Sequence, residues 1–281
     1  NQIECIVTHG ASPLMLTFSL ITRRFIHCKS VEYVHSNARD MLKKKHIHFL
    51  FKFFYRKVNG CIAISESVKD SIRDKCGDNS KVHVIYNGVD CQKFQQMKRT
   101  ERSQNPTMIY VGRLIPQKGV DILLAALHKL RDVPFTMNIV GDGPERTKLE
   151  SLSRNLGLED KVKFVGAQMN VPCWLHSSDV FIHPAVWEEG FGITLIEAMA
   201  TGVPCIAFRR GALPEIITDE EDGFLVEYVE AELLAEKIRY VLKLMLDPVY
   251  WNNVKVAAEK KATMFDIRTY TDCLSSYLEC I

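Results

Sequence analysis

Short runs of β-branched and aromatic residues, each followed by a stretch with helical periodicity, recur from one end of this 281-residue chain to the other. Strands separated by helices cannot pair as simple hairpins. They need crossover connections, which set the strands parallel and cover the sheet with helices. In the first part, strands are expected at 4–8, 31–35, 61–64 and 82–86, with helices at 12–25, 38–57 and 66–76. Residues 87–105, polar and leading to Pro106, read as a linker. A second series places strands at 108–111, 136–140, 162–164, 180–183, 204–207 and 224–226. Helices at 119–131, 144–156, 170–177, 193–201 and near 213–218 alternate with them, and from Glu230 the chain is helical with breaks at Pro248 and near Asp266. The expected fold class is α/β: two Rossmann-like domains with parallel sheets and a cleft between them. The expected boundaries are 1–95, 96–265 and a last helix, 266–281, returning to the first domain.

The most informative stretch lies in the second series. Residues 193–200 form a helix that is apolar nearly all round, yet Glu197 sits in its middle with no Lys or Arg within a turn. Burying a carboxylate is costly unless a partner hydrogen-bonds it. The helix opens after Glu189-Gly190-Phe191-Gly192, where glycines let backbone N–H groups approach a ligand. A helix start of this kind suits an anion such as phosphate. Two glutamates, Glu189 and Glu197, therefore bracket an anion-ready helix start. A second segment, Val111-Gly112-Arg113-Leu114-Ile115-Pro116-Gln117-Lys118-Gly119, follows a strand and precedes a helix. Gly112 allows a tight exit, and Arg113 and Lys118 put two cations at the carboxyl end of a parallel sheet, where such folds bind ligands. Arg can grip phosphate oxygens with paired N–H bonds, and Lys acts as a mobile point charge.

Val140-Gly141-Asp142-Gly143-Pro144 looks like the start of a dinucleotide fingerprint, but the third glycine is missing. No acidic residue ends the next strand to hold an adenosine ribose, which disfavours a nicotinamide-dependent oxidoreductase or epimerase. Gly141 and Gly143 are read as a tight turn, with Pro144 in the first turn of a helix. His35 ends a strand and reads equally as a strand cap or a site residue; His9 ends the preceding strand with weaker support. Ser65 is read first as an N-cap and second as a cleft residue, Asn87-Gly88-Val89-Asp90 as a turn entering the linker, and His183-Pro184 as structural first and as shaping a sugar pocket second.

The words Glu-Gly-Phe-Gly and Glu-Ala-Met-Ala-x-Gly-x-Pro, together with Arg113 and Lys118, resemble the donor-binding signature of retaining glycosyltransferases of family 4. Gly211-Ala212-Leu213-Pro214-Glu215 is similar to that family's Gly-Gly-x-Pro-Glu turn, with Ala212 in place of a glycine. The resemblance implies the GT-B architecture and transfer, with retention, from a nucleoside-diphosphate sugar to a glycan or lipid-linked acceptor. A UDP-sugar is the favoured donor, with no metal and no separate cofactor. It implies that Gly112, Arg113 and Lys118 hold the diphosphate, and that Gly166 and Gln168 lie near the base. Glu197 would take the ribose, and Glu189, Gly190, Phe191 and Gly192 would surround the transferred sugar and helix start. His35 would serve the cleft near sugar and acceptor. Relatives of the family begin with further βα units before a segment like Cys5-Ile6-Val7-Thr8-His9-Gly10, so the first domain is expected to be incomplete. A non-catalytic subunit that needs a second subunit for the missing elements is the alternative.

Composition bounds the setting. There is no apolar run of about 18 residues, so no membrane-spanning helix is expected, and the first residues lack a signal-peptide layout. Nine scattered cysteines without a Cys-x-x-Cys pair suit reduced thiols in a cytoplasmic protein, with neither zinc nor disulfides. Residues 1–95 hold 15 Lys and Arg against 8 Asp and Glu, a balance of +7. This charge gathers at Lys43, Lys44, Lys45, Lys52, Arg56 and Lys57, interleaved with Phe49, Phe51, Phe53, Phe54 and Tyr55. Two readings stand level: a surface on anionic lipid headgroups at the inner face of the membrane, or a core helix with a solvated basic side. Nothing else in the chain supports nucleic-acid binding.

Overall fold

The computed structural model describes residues 4–10, 18, 21–22, 25, 28–38, 49, 51–53, 55–96 and 105–281. The expected helices at 12–25 and 38–57, Lys43, Lys44, Lys45 and Phe54, and positions 97–104 of the expected linker lie wholly or mostly outside them. The chain divides into two units. The first comprises Asn1–Gly88, Glu188–Phe191 and Ile267–Ile281; the second comprises Val89–Trp187 and Gly192–Asp266.

In the first unit, strands β1 (Cys5–His9), β2 (Lys29–Val34), β3 (Gly60–Ala63) and β4 (Val82–Val84) pair in parallel in that order. All of β3 is buried, as its apolar sequence dictates for a strand covered on both faces. Helix α1 (Glu66–Cys76) begins where expected: the Ser65 hydroxyl accepts a hydrogen bond from Val68 N at 3.1 Å. It ends at Gly77, whose φ of 77° only glycine adopts without strain.

The second unit holds six parallel strands: β5 (Thr107–Val111), β6 (Thr136–Val140), β7 (Val162–Gly166), β8 (Val180–His183), β9 (Cys205–Phe208) and β10 (Gly223–Val226). Their spatial order is β10-β9-β8-β5-β6-β7, so the first strand of the unit lies beside the fourth. Chain connections therefore leave β5 towards one edge and β8 towards the other, which defines a topological switch point. The helices of this unit are α2 (Cys91–Gln95), α3 (Val120–His128), α4 (Arg146–Asn155), α5 (Val171–His176), α6 (Ile193–Ala200), α7 (Leu213–Ile216), α8 (Ala231–Leu244) and α9 (Pro248–Thr263), with a 3₁₀ turn at Pro116–Lys118. The last helix, α10 (Ile267–Cys280), belongs to the first unit. Tyr110, Leu123, Ile139, Ile182, Phe208, Phe224, Ile238 and Trp251 lie in one buried core of the second unit.

The two parallel sheets agree with the α/β expectation. Three local readings need correction. The segment 87–105 is not a bare linker: Val89 N donates to Phe265 O at 2.9 Å, and Asp90 caps α2 by accepting from Lys93 N. Pro144 is not in a helix: it lies in the turn before α4, which starts at Arg146, and Glu145 N donates to Leu114 O at 3.1 Å. Gly141 and Gly143 are small for a non-local reason. A Cβ on Gly141, whose φ is 139°, would run into the Gly112 carbonyl oxygen, and one on Gly143 would meet that of Leu114. The backbone after β5 passes directly over them, held by Gly112 N→Val140 O and Leu114 N→Asp142 O at 3.0 and 2.9 Å. Gly141→Ala is expected to destabilise the second unit by about 2–3 kcal/mol through strain and displacement of this backbone. Denaturant unfolding of the variant checks this; an unchanged midpoint would show that the loop can yield.

Candidate functional site

The site in the second unit grows from the β5/β8 pair, in register at Met108↔Val180 and Ile109↔Phe181. Beyond β5, the buried Tyr110 reaches round to donate its hydroxyl to Arg113 O at 2.9 Å. A Cβ on Gly112 would lie 2.7 Å from that hydroxyl, so glycine there makes room for the brace. The loop then turns through Pro116–Lys118 to Gly119, whose φ is 64°. Beyond β8, the backbone comes back alongside: Val186 N donates to Gln117 O at 3.0 Å, and the Pro184 carbonyl fills the space a Cβ on Gly119 would need. The Lys118 ammonium stands 5.4 Å from the centre of the Trp187 ring. The Arg113–Lys118 loop is thus stapled to the segment Pro184–Trp187 at the carboxyl ends of the switch-point strands. Arg113 is exposed there, and Lys118 is half-buried.

The chain re-enters the second unit at Gly192, φ 111°, which starts α6 without a side-chain cap. First-turn N–H groups left without a cap, plus the helix dipole, favour a negative charge at this end. One turn in, Glu197 is half-buried between apolar neighbours. Loss of water raises its carboxyl from the ordinary 4.5 to about 7, opposed by the positive charge of Lys93. Lys93 comes from α2, a source that no local reading of the helix could reveal. A carboxyl raised this far by burial inside an apolar helix marks a candidate functional position. Gly166 ends β7 with φ 74°, and its carbonyl accepts from Gly141 N at 2.9 Å. Gln168 is exposed and turns its amide back to donate to Val165 O at 2.8 Å. These two lie beyond β6 from the β5/β8 pair. His183 is buried beneath the site with its ring 6.2 Å from that of Phe181.

The first unit gathers the remaining candidates. His35 and His9 end adjacent strands, with His9 Nδ1 and His35 Nε2 at 2.8 Å and both rings stacked with Tyr33. Loss of water, then the neighbouring His9, holds the His35 imidazole below its ordinary value, which favours the neutral ring. Beside them runs the segment Glu188–Phe191: the Ser65 hydroxyl donates to Gly190 O at 2.8 Å, and a Cβ on Gly190 would lie 2.9 Å from His35 O. Ser65 is therefore both the expected N-cap and a tether for this segment. Glu188 and Glu189 are half-buried; Phe191 is buried, its ring 5.8 Å from Tyr86. In the second unit the structure joins the loop that carries Gly112, Arg113 and Lys118 to the segment after β8 through Val186 N→Gln117 O, and the same unit carries Gly192 and Glu197 on α6. In the first unit it brings together His35 and the segment that carries Glu189, Gly190 and Phe191. Sequence reading passed over Lys93 and gave no role to Trp187, whose ring is met by Lys118.

Residues 92–255 match the family described as glycosyl transferases group 1, and residues 1–93 match glycosyltransferase family 4. The chain is 30% identical over 202 residues to N-acetyl-alpha-D-glucosaminyl L-malate synthase of Bacillus anthracis, an alignment covering 69% of this chain and 53% of that protein. It is 36% identical over 160 residues to the lipopolysaccharide core biosynthesis mannosyltransferase LpsB of Rhizobium meliloti, covering 51% of this chain and 45% of that one. The chain thus spans about half the length of these relatives. Among solved structures, HepE of Anabaena in complex with UDP and glucose superposes with a TM-score of 0.86 at 23% identity, over 98% of this chain and 78% of that one. At that identity, the likeness establishes the fold.

Proposed function

We propose, proceeding from the premise that this chain belongs to the group 1 glycosyl transferases, that it transfers a sugar from a nucleoside-diphosphate sugar to a glycan or lipid-linked acceptor, with retention at the anomeric carbon. One observation carries the reading: the Arg113–Lys118 loop and the loop leading to α6 are joined at the switch point, through Val186 N→Gln117 O. As the bond from the anomeric carbon to the donor phosphate breaks, negative charge grows on the diphosphate and positive charge on the sugar. Arg113, Lys118 and the open start of α6 are the groups assigned to the growing negative charge. The backbone that carries the two cations is braced before reaction by Tyr110 Oη→Arg113 O and Val186 N→Gln117 O, which limits the reorganisation needed when charge appears. Glu197 is assigned to the ribose hydroxyls, since an ionised carboxylate can accept from both. The base is assigned to the end of β7, near Gly166 and Gln168. Glu189 and His35 are assigned to the sugar, Glu189 as a hydroxyl-orienting or charge-stabilising group and His35 as a neutral imidazole. A UDP-sugar is the favoured donor: the fold neighbour HepE is described in complex with UDP and glucose.

Calorimetric titration of the purified chain with UDP-, GDP- and ADP-sugars tests the donor half. One nucleotide class is expected to bind at least about tenfold tighter than the others, and absence of binding by all three would refute the assignment. Proton spectroscopy of the product distinguishes retention from inversion. Donor binding without transfer to any acceptor would make the chain a donor-binding subunit that needs a partner.

A further inference from the structure

His9 and His35 stand at the ends of neighbouring parallel strands, and His9 is in register with Tyr33, two residues before His35. The Tyr33 ring is buried and nearly parallel to both imidazoles, at 14° to His9 and 4° to His35, with centres 5.2 and 4.5 Å away. This packing fixes the plane of the His35 ring. It does not fix the edge, because a half-turn about the Cβ–Cγ bond exchanges nitrogens for carbons and keeps the ring on Tyr33. The contact with His9 makes that choice. His35 Nε2 stands 2.8 Å from His9 Nδ1, and the two ring planes differ by 16°. Their centres are 5.1 Å apart, which is the separation of the nitrogens plus the two ring radii. The nitrogens therefore point straight at each other in a nearly shared plane, as a linear hydrogen bond requires.

One proton lies between the two nitrogens, and ordinary imidazole chemistry says which one carries it. If His9 Nδ1 donated, both neutral rings would hold their hydrogen on Nδ1, the less favoured tautomer of an unstrained histidine. If His35 Nε2 donates, both rings hold it on Nε2, the favoured one. Loss of water and the neighbouring His9 keep the His35 ring neutral, in accord with this assignment. Among the described residues no other hydrogen bond reaches either ring. We infer that His9 is a positioning residue that holds His35 as the Nε2–H tautomer and leaves His35 Nδ1 open as a hydrogen-bond acceptor. A sugar hydroxyl supplies the matching donor. The use of this nitrogen rests on the assignment of His35 to the sugar; the hold of His9 on the ring does not.

Nitrogen-15 spectroscopy of the full chain, labelled in histidine and held at pH about 8.5, two units above the ordinary imidazole value, reads the tautomer directly. The His35 signals, identified by their loss in His35→Ala, are expected to show a protonated Nε2 and a bare Nδ1. His9→Phe keeps a ring on Tyr33 but removes the acceptor, so the His35 nitrogens should shift towards the average of two exchanging tautomers. His9→Asn returns an amide oxygen near the former Nδ1 and should restore the parent pattern. Thermal melting of both variants should match the parent, since His9 is exposed. Turnover is followed as release of nucleoside diphosphate from the nucleotide sugar that binds tightest in the titrations above. His9→Phe should lower its kcat/KM on the order of tenfold, the scale of a mis-set reacting geometry, and His9→Asn should recover most of the loss. A hydrogen on Nδ1 of His35 in the parent, an unchanged His35 spectrum in His9→Phe, or equal losses of turnover in His9→Phe and His9→Asn would overturn the inference. Parent-like turnover in His35→Ala together with the expected parent spectrum would remove His35 from the sugar and still support the hold of His9 on its ring.

Discussion

Alanine in place of either Arg113 or Lys118 is expected to cut the rate of sugar transfer by on the order of 10²–10³-fold, with thermal stability almost unchanged. That rate loss is typical of removing one fixed donor from a site where transition-state charge accumulates. The stability half follows from what the side chains do in the fold. Arg113 is exposed and its side chain enters no ion pair among the described residues, unlike Arg146, which is held at 2.9 Å by both Asp142 and Glu150. Lys118→Ala gives up the contact with Trp187, worth about 0.5–1 kcal/mol at a partly solvated site. The loop itself is held by backbone bonds and by the Tyr110 hydroxyl, which both variants retain. Arg113→Lys should fall between parent and alanine, keeping the charge while losing paired N–H bonds to phosphate. Steady-state kinetics alongside calorimetric melting decide the matter. Parent-like turnover in both alanine variants would remove the cationic pair from the mechanism.

Glu197→Gln should push stability and donor affinity in opposite directions. The carboxyl of Glu197 is raised from 4.5 to about 7. The folded protein therefore binds this proton more tightly than the unfolded chain, and stability falls as pH climbs from 4.5 to about 7, then levels off. At pH 8 the ionised, half-buried group costs about 1–3 kcal/mol, the lower part of the range reflecting its contact with water. Glutamine removes that cost, so the variant should be more stable than the parent at pH 8, and the gap should close towards pH 4.5. Donor binding should weaken by about 10–100-fold, the loss of charge-assisted hydrogen bonds to ribose hydroxyls. In the parent, donor affinity should likewise decline as pH drops through about 7 and the carboxylate is protonated. Denaturant melts across pH, paired with donor titrations, separate the two effects. Undiminished donor affinity in Glu197→Gln would take the ribose away from this residue.

Both predictions rest on residues that were visible before any coordinates, and the reason is local chemistry. Arg113, Lys118 and the glycine-led start of α6 sit in short words whose spacing already implies a strand exit or a helix start. The strands were legible for a similar reason: each is a short apolar run between turn-forming residues, and 136–140 and 180–183 matched β6 and β8 end to end. What stayed hidden was set by distant chain. Helix α2 spans five residues, too few to show a period. Lys93 meets Glu197 only after the sheet has formed. Gly141 and Gly143 looked like a turn because nothing in their own sequence announces the backbone that crosses above them. The brief cationic turn at Pro116–Lys118 was likewise read as loop.

The contact of Gly119 with the Pro184 carbonyl has a consequence for redesign. The wall proposed above for the diphosphate is a keystone arrangement: shifting the Arg113–Lys118 loop drags Pro184–Trp187, and shifting that segment moves both cations. Donor preference is therefore best retuned away from this wall. The end of β7 offers such a place, because Gln168 is exposed there and, among the described residues, hydrogen-bonds only to its own turn. A library confined to that rim should yield altered nucleotide choice with the leaving-group chemistry intact, whereas one aimed at Gly119 or Pro184 should return mostly inactive chains.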